Sequence, residues 1–356
     1  MGKRNRRGLA HQPHSTFSFT TAFLFLYGVL TFGLTVRTME IMTSEHQFVT
    51  IALGTAGGLT EANLSSYLLA PIGSMEFVAL DAGTLLTGLQ QAHRKGNLAD
   101  IVVPPESSLS VEGQVLTQHL KAYLISHAHF DHLAGLVLNS PDDTPKSILG
   151  LASTVEQIKQ HVFNGQLWPN FTEEGPGAPL KKYHLIRLQP GVTQTIADTR
   201  LTVTAFALRH GGTPSTAFLL QANGAAALYV GDTGPDEAEH CDALQQVWQA
   251  MAPLVQHRRL RGIFIESAYP NGRDLSHLYG HLTPEWLLTE LRRLAALVNP
   301  QQPTDALRGI TVLITHIKPT LHRVQGERAQ IQQQLAALND VGVRFVFPEQ
   351  GDRIEF

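Results

Sequence analysis

The residues best suited to chemistry lie in one short run, Ser126-His127-Ala128-His129-Phe130-Asp131-His132. Three imidazoles and one carboxylate fall within six residues of one another. Imidazole nitrogen and carboxylate oxygen are ligands that suit zinc, iron or manganese. A lone histidine is commonly structural, but four ligand-type side chains this close together are hard to explain by core packing. The run therefore predicts a metal site.

Ligands from a single loop cannot fill the coordination spheres of two metal ions, so further ligands are expected from distant parts of the chain. Three candidates share one placement, directly after an apolar β-like run: His210 after Leu201–Leu208, Asp232 after Ala227–Val230 and His316 after Val312–Thr315. Glycines beside these residues leave room for close approach. Each candidate is weak alone, but their common placement at strand ends makes them a set.

The run at His127 must be presented by a rigid element. The short apolar segment Ala122–Ile125 predicts a strand that leads straight into it. In a straight strand His127, His129 and Asp131 would share one face, because side chains alternate along a strand. His132 needs a turn to join them.

The rest of the chain supplies many short strands with helices between them, which predicts a layered α/β domain. Strands are predicted at Phe48–Leu53, Leu64–Ala70, Phe77–Leu80, Ala217–Gln221, Ile263–Glu266 and Arg344–Phe347, and helices at Leu85–Arg94, Ser153–Val162 and Gln330–Leu338. Asn164–Lys182 is rich in Gly and Pro and predicts a long surface loop. Composition marks no internal boundary, so we predict one domain over residues 46–356.

One helix start is marked in detail by Thr283-Pro284-Glu285. This order supplies a capping hydroxyl, a proline in the first turn and then an acid. An apolar face follows, formed by Leu287, Leu288, Leu291 and Leu294.

Composition narrows the class of function. Hydrophobic residues make up 43% and charged residues 16% of the 356 residues, which is typical of a globular protein. The formal net charge of -3 gives no basic excess, so we expect no nucleic-acid partner. Cys241 is the one cysteine, which excludes an intrachain disulfide and thiol-rich metal sites. Any metal must therefore be held by imidazole and carboxylate, and the chain has 17 histidines.

The amino terminus has a pattern of its own. Basic residues near the start precede a charge-free, apolar stretch from Ser15 to Val36. This pattern is typical of an export signal or an uncleaved anchor over residues 1–41, and it predicts a periplasmic or membrane-anchored protein. The alternative is a cytoplasmic enzyme whose translation starts at Met42.

The ligand candidates resemble a known family. His127-x-His129-x-Asp131-His132 followed by His210, Asp232 and His316 resembles the ligand set of the metallo-β-lactamase fold superfamily. The longer run His127-Ala-His-Phe-Asp-His-Leu-Ala-Gly-Leu-Val-Leu-Asn-Ser-Pro141 resembles the signature of class II cyclic-nucleotide phosphodiesterases, with Phe130 where Leu is usual. Further matching segments are Leu53-Gly-Thr-Ala-Gly-Gly58, Asp81-Ala-Gly83, Gly231-Asp232, Ile265-Glu-Ser267, Gly280-His-Leu-Thr-Pro284 and Thr315-His-Ile-Lys-Pro319.

The resemblance implies an α/β fold in four αββα layers, with two mixed sheets flanked by helices. It also implies two divalent metal ions, with zinc expected. One metal would be held by His127, His129 and His210, and the other by Asp131, His132 and His316, with Asp232 as the bridge. The implied reaction is hydrolysis of 3′,5′-cyclic nucleotides to nucleoside 5′-monophosphates by a metal-bridging hydroxide. Cyclic AMP is the expected substrate, and activity on cyclic GMP is left open. Family members weakly suggest a homodimer.

A second site is expected where Glu266 ends a strand and His281 precedes a helix. This order resembles the proton-donor pair of ribonuclease Z, a phosphodiesterase of the same superfamily. We therefore assign Asp131, Glu266 and His281 to catalysis, with His281 as donor to the leaving oxygen. The alternative is that Glu266 and His281 only stabilise the join between strand and helix. Lys318 could contact phosphate or could be a solvated surface lysine.

Other functions remain open at this point. A ribonuclease Z-like or lactonase-like hydrolase on the same fold is the main alternative. A nuclease would be expected to carry a basic exosite, which the net charge does not favour. A lactonase would not need Glu266 and His281. A metal-binding scaffold without catalysis is disfavoured because no expected ligand is missing.

Overall fold

A computed structural model of the chain describes residues 46–322 and 326–356. Fourteen strands follow one another along these residues: β1 (Phe48–Gly54), β2 (Ser66–Pro71), β3 (Phe77–Leu80), β4 (Leu120–Leu124), β5 (Lys146–Leu151), β6 (Tyr183–Leu188), β7 (Thr193–Thr195), β8 (Thr202–His210), β9 (Thr213–Ala222), β10 (Ala225–Val230), β11 (Leu260–Glu266), β12 (Thr311–Thr315), β13 (Arg344–Val346) and β14 (Arg353–Glu355). They form two seven-stranded sheets, with orders β14-β1-β2-β3-β4-β5-β6 and β13-β12-β11-β10-β9-β8-β7.

Eight α-helices of the described residues cover these sheets: α1 (Leu86–Arg94), α2 (Val111–Gln114), α3 (Ala134–Asn139), α4 (Ala152–Gln157), α5 (Asp236–Glu239), α6 (Ala243–Gln256), α7 (Pro284–Val298) and α8 (Glu327–Leu338). Wider helical turns at Val115–His119 and Ile158–Val162 extend α2 and α4. Short, tight turns occupy Glu61–Asn63, Phe130–His132 and Leu275–His277.

Buried side chains divide into three apolar cores, which define the layers. Tyr67, Phe218 and Phe264 lie in the core that joins residues of both sheets. The outer face of the first sheet packs against helices that include α1, and α6 and α7 lie in the core of the second sheet. The predicted sandwich of two mixed sheets flanked by helices is therefore confirmed.

Strand direction explains where polar residues gather. In the first sheet β3, β4, β5 and β6 run parallel, and in the second sheet β10, β11, β12 and β13 do so. Parallel strands end at the same edge of a sheet, and open α/β sheets bind ligands at that edge. Asp81 directly follows β3, and His316 directly follows β12. Asp232 lies in the loop after β10, next to Gly231.

Two details of the predicted strands need correction. His210 is the last residue of β8 and pairs with Thr213, so it does not follow the strand as we expected. β4 ends at Leu124, and the run at His127 lies in a loop beyond it rather than along a strand face. The loop bends because Phe130–His132 forms a tight turn, and this turn brings His132 back towards His127.

The helix predicted from Thr283 begins as expected at Pro284, but the hydroxyl does not cap it. Within the described residues, the Thr283 side chain makes no capping hydrogen bond. Instead the Asn271 side chain accepts a hydrogen bond from the Glu285 amide at 2.9 Å. A side chain from a distant loop therefore accepts the amide hydrogen bond that a local capping residue would otherwise accept.

The segment Asn164–Lys182 contains no helix or strand in the structure, as predicted, but it is not wholly a surface loop. Asn170, Phe171 and Thr172 are buried. Asn170 stabilises the loop internally, because its amide donates to the carbonyls of Glu174 and Pro176 at 3.1 and 3.0 Å.

The predicted export or anchor segment, residues 1–41, lies outside the described residues. Over residues 46–322 and 326–356, no helix combines the length and apolar character needed to span a bilayer.

Helices α6 and α7 share one buried acid. Glu290 on α7 accepts a hydrogen bond from the Trp248 indole at 2.8 Å and pairs with Arg293 at 2.6 Å. Burial raises the pKa of Glu290 to about 7, because its desolvation outweighs the indole hydrogen bond and the Arg293 charge.

This buried acid gives the first prediction. An acid with a higher pKa in the folded state than in the unfolded state binds more protons when folded, so stability falls as pH rises through that window. Between about pH 4.5 and 7, the free energy of unfolding should fall by about 1–3 kcal/mol relative to a Glu290→Gln variant. Urea denaturation at a series of pH values measures it, with Glu285→Gln on the exposed face of α7 as control. Parallel curves for wild type and Glu290→Gln would contradict the prediction.

Candidate functional site

The seven predicted ligands come together at one edge of the sandwich. His127, His132 and Asp232 are buried, as are His210 and His316. His129 and Asp131 are more exposed and lie on the solvent side. The group is therefore a cage that is closed by protein on one side and open to solvent on the other.

Two sets of ligand atoms can be separated within this cage. The ligand atoms of His127, His129 and His210 lie within 4.8 Å of one another, and so do those of Asp131, His132 and His316. These are the two sets that the sequence resemblance implied. The spacing of each set suits a single small cation.

Asp232 lies between the two sets. Its Oδ2 atom is 3.2 Å from His132 Nε2 and 3.0 Å from His316 Nε2. The same oxygen is 3.9 Å from Nε2 of both His127 and His210. One carboxylate oxygen thus faces imidazoles of both sets, which is the position that a bridging ligand requires.

Neighbouring groups orient the rings through their Nδ1 atoms. His210 Nδ1 donates to the Gly280 carbonyl at 2.7 Å, and His316 Nδ1 is 2.8 Å from the Ser65 hydroxyl. A ring whose Nδ1 carries the proton presents an unprotonated Nε2, and such partners commonly fix the tautomer of metal ligands. The rings are therefore aimed inward by residues outside the cage.

The buried imidazole nitrogens of the donor set fit cation binding. Nε2 of His127 is buried and has no hydrogen-bond partner among the described residues, and Nε2 of His316 forms no hydrogen bond there despite lying 3.0 Å from Asp232 Oδ2. Unpaired buried nitrogens are costly unless something binds them. Gly57 packs on the His316 ring, and a Cβ at this position would lie 2.4 Å from the ring. These features fit divalent cations bound by imidazole and carboxylate.

Electrostatics keep two of the rings neutral. Burial lowers the pKa of His127 and of His316 well below the usual value, and neighbouring histidines add to the effect. Neutral imidazole is the form that binds metal. At His132 burial also acts to lower the pKa, but the Asp232 and Asp81 carboxylates outweigh it and raise the pKa.

Asp81 is a functional residue that the sequence analysis did not assign. Its buried carboxylate accepts hydrogen bonds from the Ser126 amide and hydroxyl at 2.7 Å each, and from the Tyr229 hydroxyl at 2.6 Å. His132 Nδ1 lies 2.8 Å from the same carboxylate. Asp81 thus fixes both the start of the histidine run and the orientation of one ring. The sequence indicates Asp81-Ala-Gly83 only as a segment that matches the family.

Two backbone outliers occur at this site. Asp81 has φ 55° and His316 has φ 56°, values that non-glycine residues rarely adopt. Such residues cost about 1–3 kcal/mol each and persist where the surroundings determine them. The hydrogen bonds of Asp81 and the Ser65 contact of His316 supply those surroundings.

Glu266 and His281 form a buried pair beside the cage. His281 Nδ1 is 2.9 Å from Glu266 Oε2, and the Thr233 amide donates to Glu266 Oε1 at 2.8 Å. Burial acts to lower the pKa of His281, but Glu266 outweighs it and raises the pKa. The His281 ring centre is 4.6 Å from that of His210 and 5.2 Å from that of His316. His281 therefore faces both sets of ligands.

Comparison with solved structures places the fold. Yeast PDE1, crystallised without ligand, aligns with a TM-score of 0.76 and 25% identity, covering 87% of this chain and all of that one. A metallo-β-lactamase fold protein from Bacillus subtilis aligns with a TM-score of 0.56 and 16% identity, over 87% of this chain and 100% of that one. The fold and the donor set together define a protein of the metallo-β-lactamase fold.

Sequence comparison identifies the family within that fold. The family model described as cAMP phosphodiesterases class-II matches residues 42–351. A 3′,5′-cyclic-nucleotide phosphodiesterase of Aliivibrio fischeri is 41% identical over 310 residues, which is 87% of this chain and 93% of the relative. A cAMP/cGMP-dependent 3′,5′-cAMP/cGMP phosphodiesterase of Dictyostelium discoideum is 30% identical over 86% of this chain and 81% of its own length. The chain belongs to the class II cAMP phosphodiesterase family.

The Asp81 network gives the second prediction. In an Asp81→Asn variant, one oxygen becomes an amide donor and faces other donors. The His132 ring then loses the partner that orients it, so metal affinity should fall about 10–100-fold, the usual size for such supporting residues. Competition with a chelator measures the affinity.

Asp143→Asn is the matched control. Asp143 is also a buried carboxylate that accepts hydrogen bonds from two tyrosines, Tyr123 and Tyr183, and from Lys146. It is absent from the groups of potential ligands around the cage. Asp143→Asn should reduce stability while metal affinity stays unchanged. Equal metal affinity in wild type and Asp81→Asn would contradict the role of Asp81.

Proposed function

We propose that the chain hydrolyses 3′,5′-cyclic nucleotides, cyclic AMP among them, to nucleoside 5′-monophosphates. The observation that carries the proposal is the division of the cage into two ligand sets that share Asp232. Family membership supports the reaction class. The reaction adds water to phosphorus, breaks the bond from phosphorus to O3′, and leaves the phosphate on O5′.

His127, His129 and His210 would hold one divalent cation, and Asp131, His132 and His316 the other, with Asp232 shared. When bound, such a pair supplies positive charge for the phosphate oxygens and lowers the pKa of a coordinated water. Zinc is the proposed metal, because the donors are imidazole and carboxylate in compact sets. The thiol of Cys241 is not among the grouped ligands of the described chain.

The protein's own residues orient the proposed ligand rings before the substrate binds. Asp81, Ser65 and the Gly280 carbonyl set the ring orientations of His132, His316 and His210 through hydrogen bonds. The buried location of these bonds keeps water from competing with them. Preorganised groups of this kind need no rearrangement during the reaction, which is a main source of catalytic power.

His281 is proposed to protonate the departing 3′ oxygen. Glu266 holds Nδ1 of the ring, so Nε2 is the nitrogen that remains to donate. The Glu266 charge stabilises the protonated ring. The ring centre lies 4.6 Å from that of His210 and 5.2 Å from that of His316, so a leaving group bound between the two ligand sets would lie beside this ring. Glu266 also accepts from the Thr233 amide, which ties the donor to the residue after Asp232.

Metal analysis together with turnover tests the function. Purified wild-type protein should contain two metal ions per chain and hydrolyse cyclic AMP, with no comparable turnover of tRNA precursors or lactones. Asp232→Ala should lower the metal content towards one or none, because it removes the shared ligand. Two tightly bound ions in this variant would refute the bridge, and preferred turnover of RNA or lactone would refute the substrate class.

The proton-donor role gives a separate prediction. His281→Ala should lower kcat by about 10²–10⁴-fold, the usual contribution of a general acid, while metal content is unchanged. His277→Ala is the matched control, because His277 lies in the same loop with an exposed side chain. Loss of metal from His281→Ala would instead identify His281 as a ligand, since it also groups with His210 and Asp232. An unchanged rate would remove it from catalysis.

A further inference from the structure

Lys318 lies beside the cage on the segment that follows β12. It comes two residues after His316, and its amide donates to the Ala268 carbonyl at 3.0 Å, which fixes its backbone. Its side chain is half-buried and lines a cleft of about 400 Å³. The side chain therefore remains accessible from solvent.

Gly58 provides a measure of how near it lies. Lys318 Nζ and Asp131 Oδ2 are both 4.0 Å from the point that a Cβ at Gly58 would occupy. Gly58 has φ 66° and adds no side chain to this space. The ammonium and an Asp131 oxygen of the cage therefore both border the space beside Gly58.

Among the residues that the structure describes, Lys318 has no side-chain partner that would explain this placement. Its ammonium makes neither a hydrogen bond nor an ion pair with any residue that the structure describes. Other half-buried or buried lysines are paired: Lys146 contacts Asp143 at 2.6 Å, and Lys182 donates to the Ser140 carbonyl at 2.7 Å.

We propose that Lys318 binds a non-bridging oxygen of the substrate phosphate and is thus a further substrate-binding residue. The inference rests on the proposed function, because a cyclic nucleotide brings one phosphodiester anion to the cage. Cations in the cage would repel the ammonium, and an anion between them converts repulsion into attraction. Lysine suits this task because its ammonium is a compact point charge that binds phosphate.

Phosphate binding tests the proposal directly. The metal-loaded wild type, Lys318→Met, Lys318→Arg and Lys121→Met are titrated with inorganic phosphate in a calorimeter, and metal content is measured in each. Lys121 is the matched control, because it is half-buried like Lys318 but its ammonium donates to the Gln118 carbonyl. Lys318→Met should weaken phosphate binding about 10–100-fold, the size of one charge-assisted hydrogen bond. Lys318→Arg should recover most of the affinity, and Lys121→Met should match wild type.

Turnover of cyclic AMP provides the second readout. Lys318→Met should lower kcat/KM about 10–100-fold, with two metal ions retained. Unchanged phosphate affinity in Lys318→Met would overturn the proposal, and so would loss of metal, since Lys318 would then act on the cage. If wild type fails to hydrolyse cyclic nucleotides yet binds phosphate through Lys318, the proposed function fails while the anion site stands.

Discussion

The crowding of imidazoles around one oxygen is the constraint on which the site depends. Asp232 Oδ2 has nitrogens of His127, His132, His210, His281 and His316 within 4.0 Å. One oxygen cannot accept hydrogen bonds from five rings, and burial disfavours charging them together. Histidines held this close without cations would be an unfavourable arrangement. Metal binding offsets this unfavourable crowding, because it contributes free energy that folding alone does not.

The framework makes this crowding feasible by bringing polar residues from both sheets to one edge. β3 and β4 deliver Asp81 and the histidine run, whereas β8, β10 and β12 deliver the other ligands. The apolar interior between the sheets holds these strand ends in register, so the site sits on rigid elements. Asp81 also links the two sheets by hydrogen bonds. Its carboxylate contacts the Tyr229 hydroxyl of the second sheet and Nδ1 of His132, which follows the first sheet. The same buried contacts thus stabilise the fold and orient the ligands.

The features that could be predicted from sequence were those that depend on residues close to one another along the chain. Apolar runs marked most strands, and the run at His127 marked the site because its ligands are neighbours in sequence. Helix α6 was missed, since glutamines and Pro253 obscure its period and its place is decided by packing of Trp248 against α7. Asp81 was missed as a site residue because its partners lie 45, 51 and 148 residues away. No sequence pattern shows that the Gly280 carbonyl orients His210. Sheet direction and such long-range hydrogen bonds exist only after folding.

The bond from His210 to the Gly280 carbonyl has a mechanical consequence. Gly280 immediately precedes His281, so one peptide unit both grips a ligand ring and carries the proposed proton donor. A shift of the loop between β11 and α7 would change the orientation of the His210 ring and the position of His281 together. The peptide unit at Gly280 thus couples the orientation of a ligand ring to the position of the proposed donor.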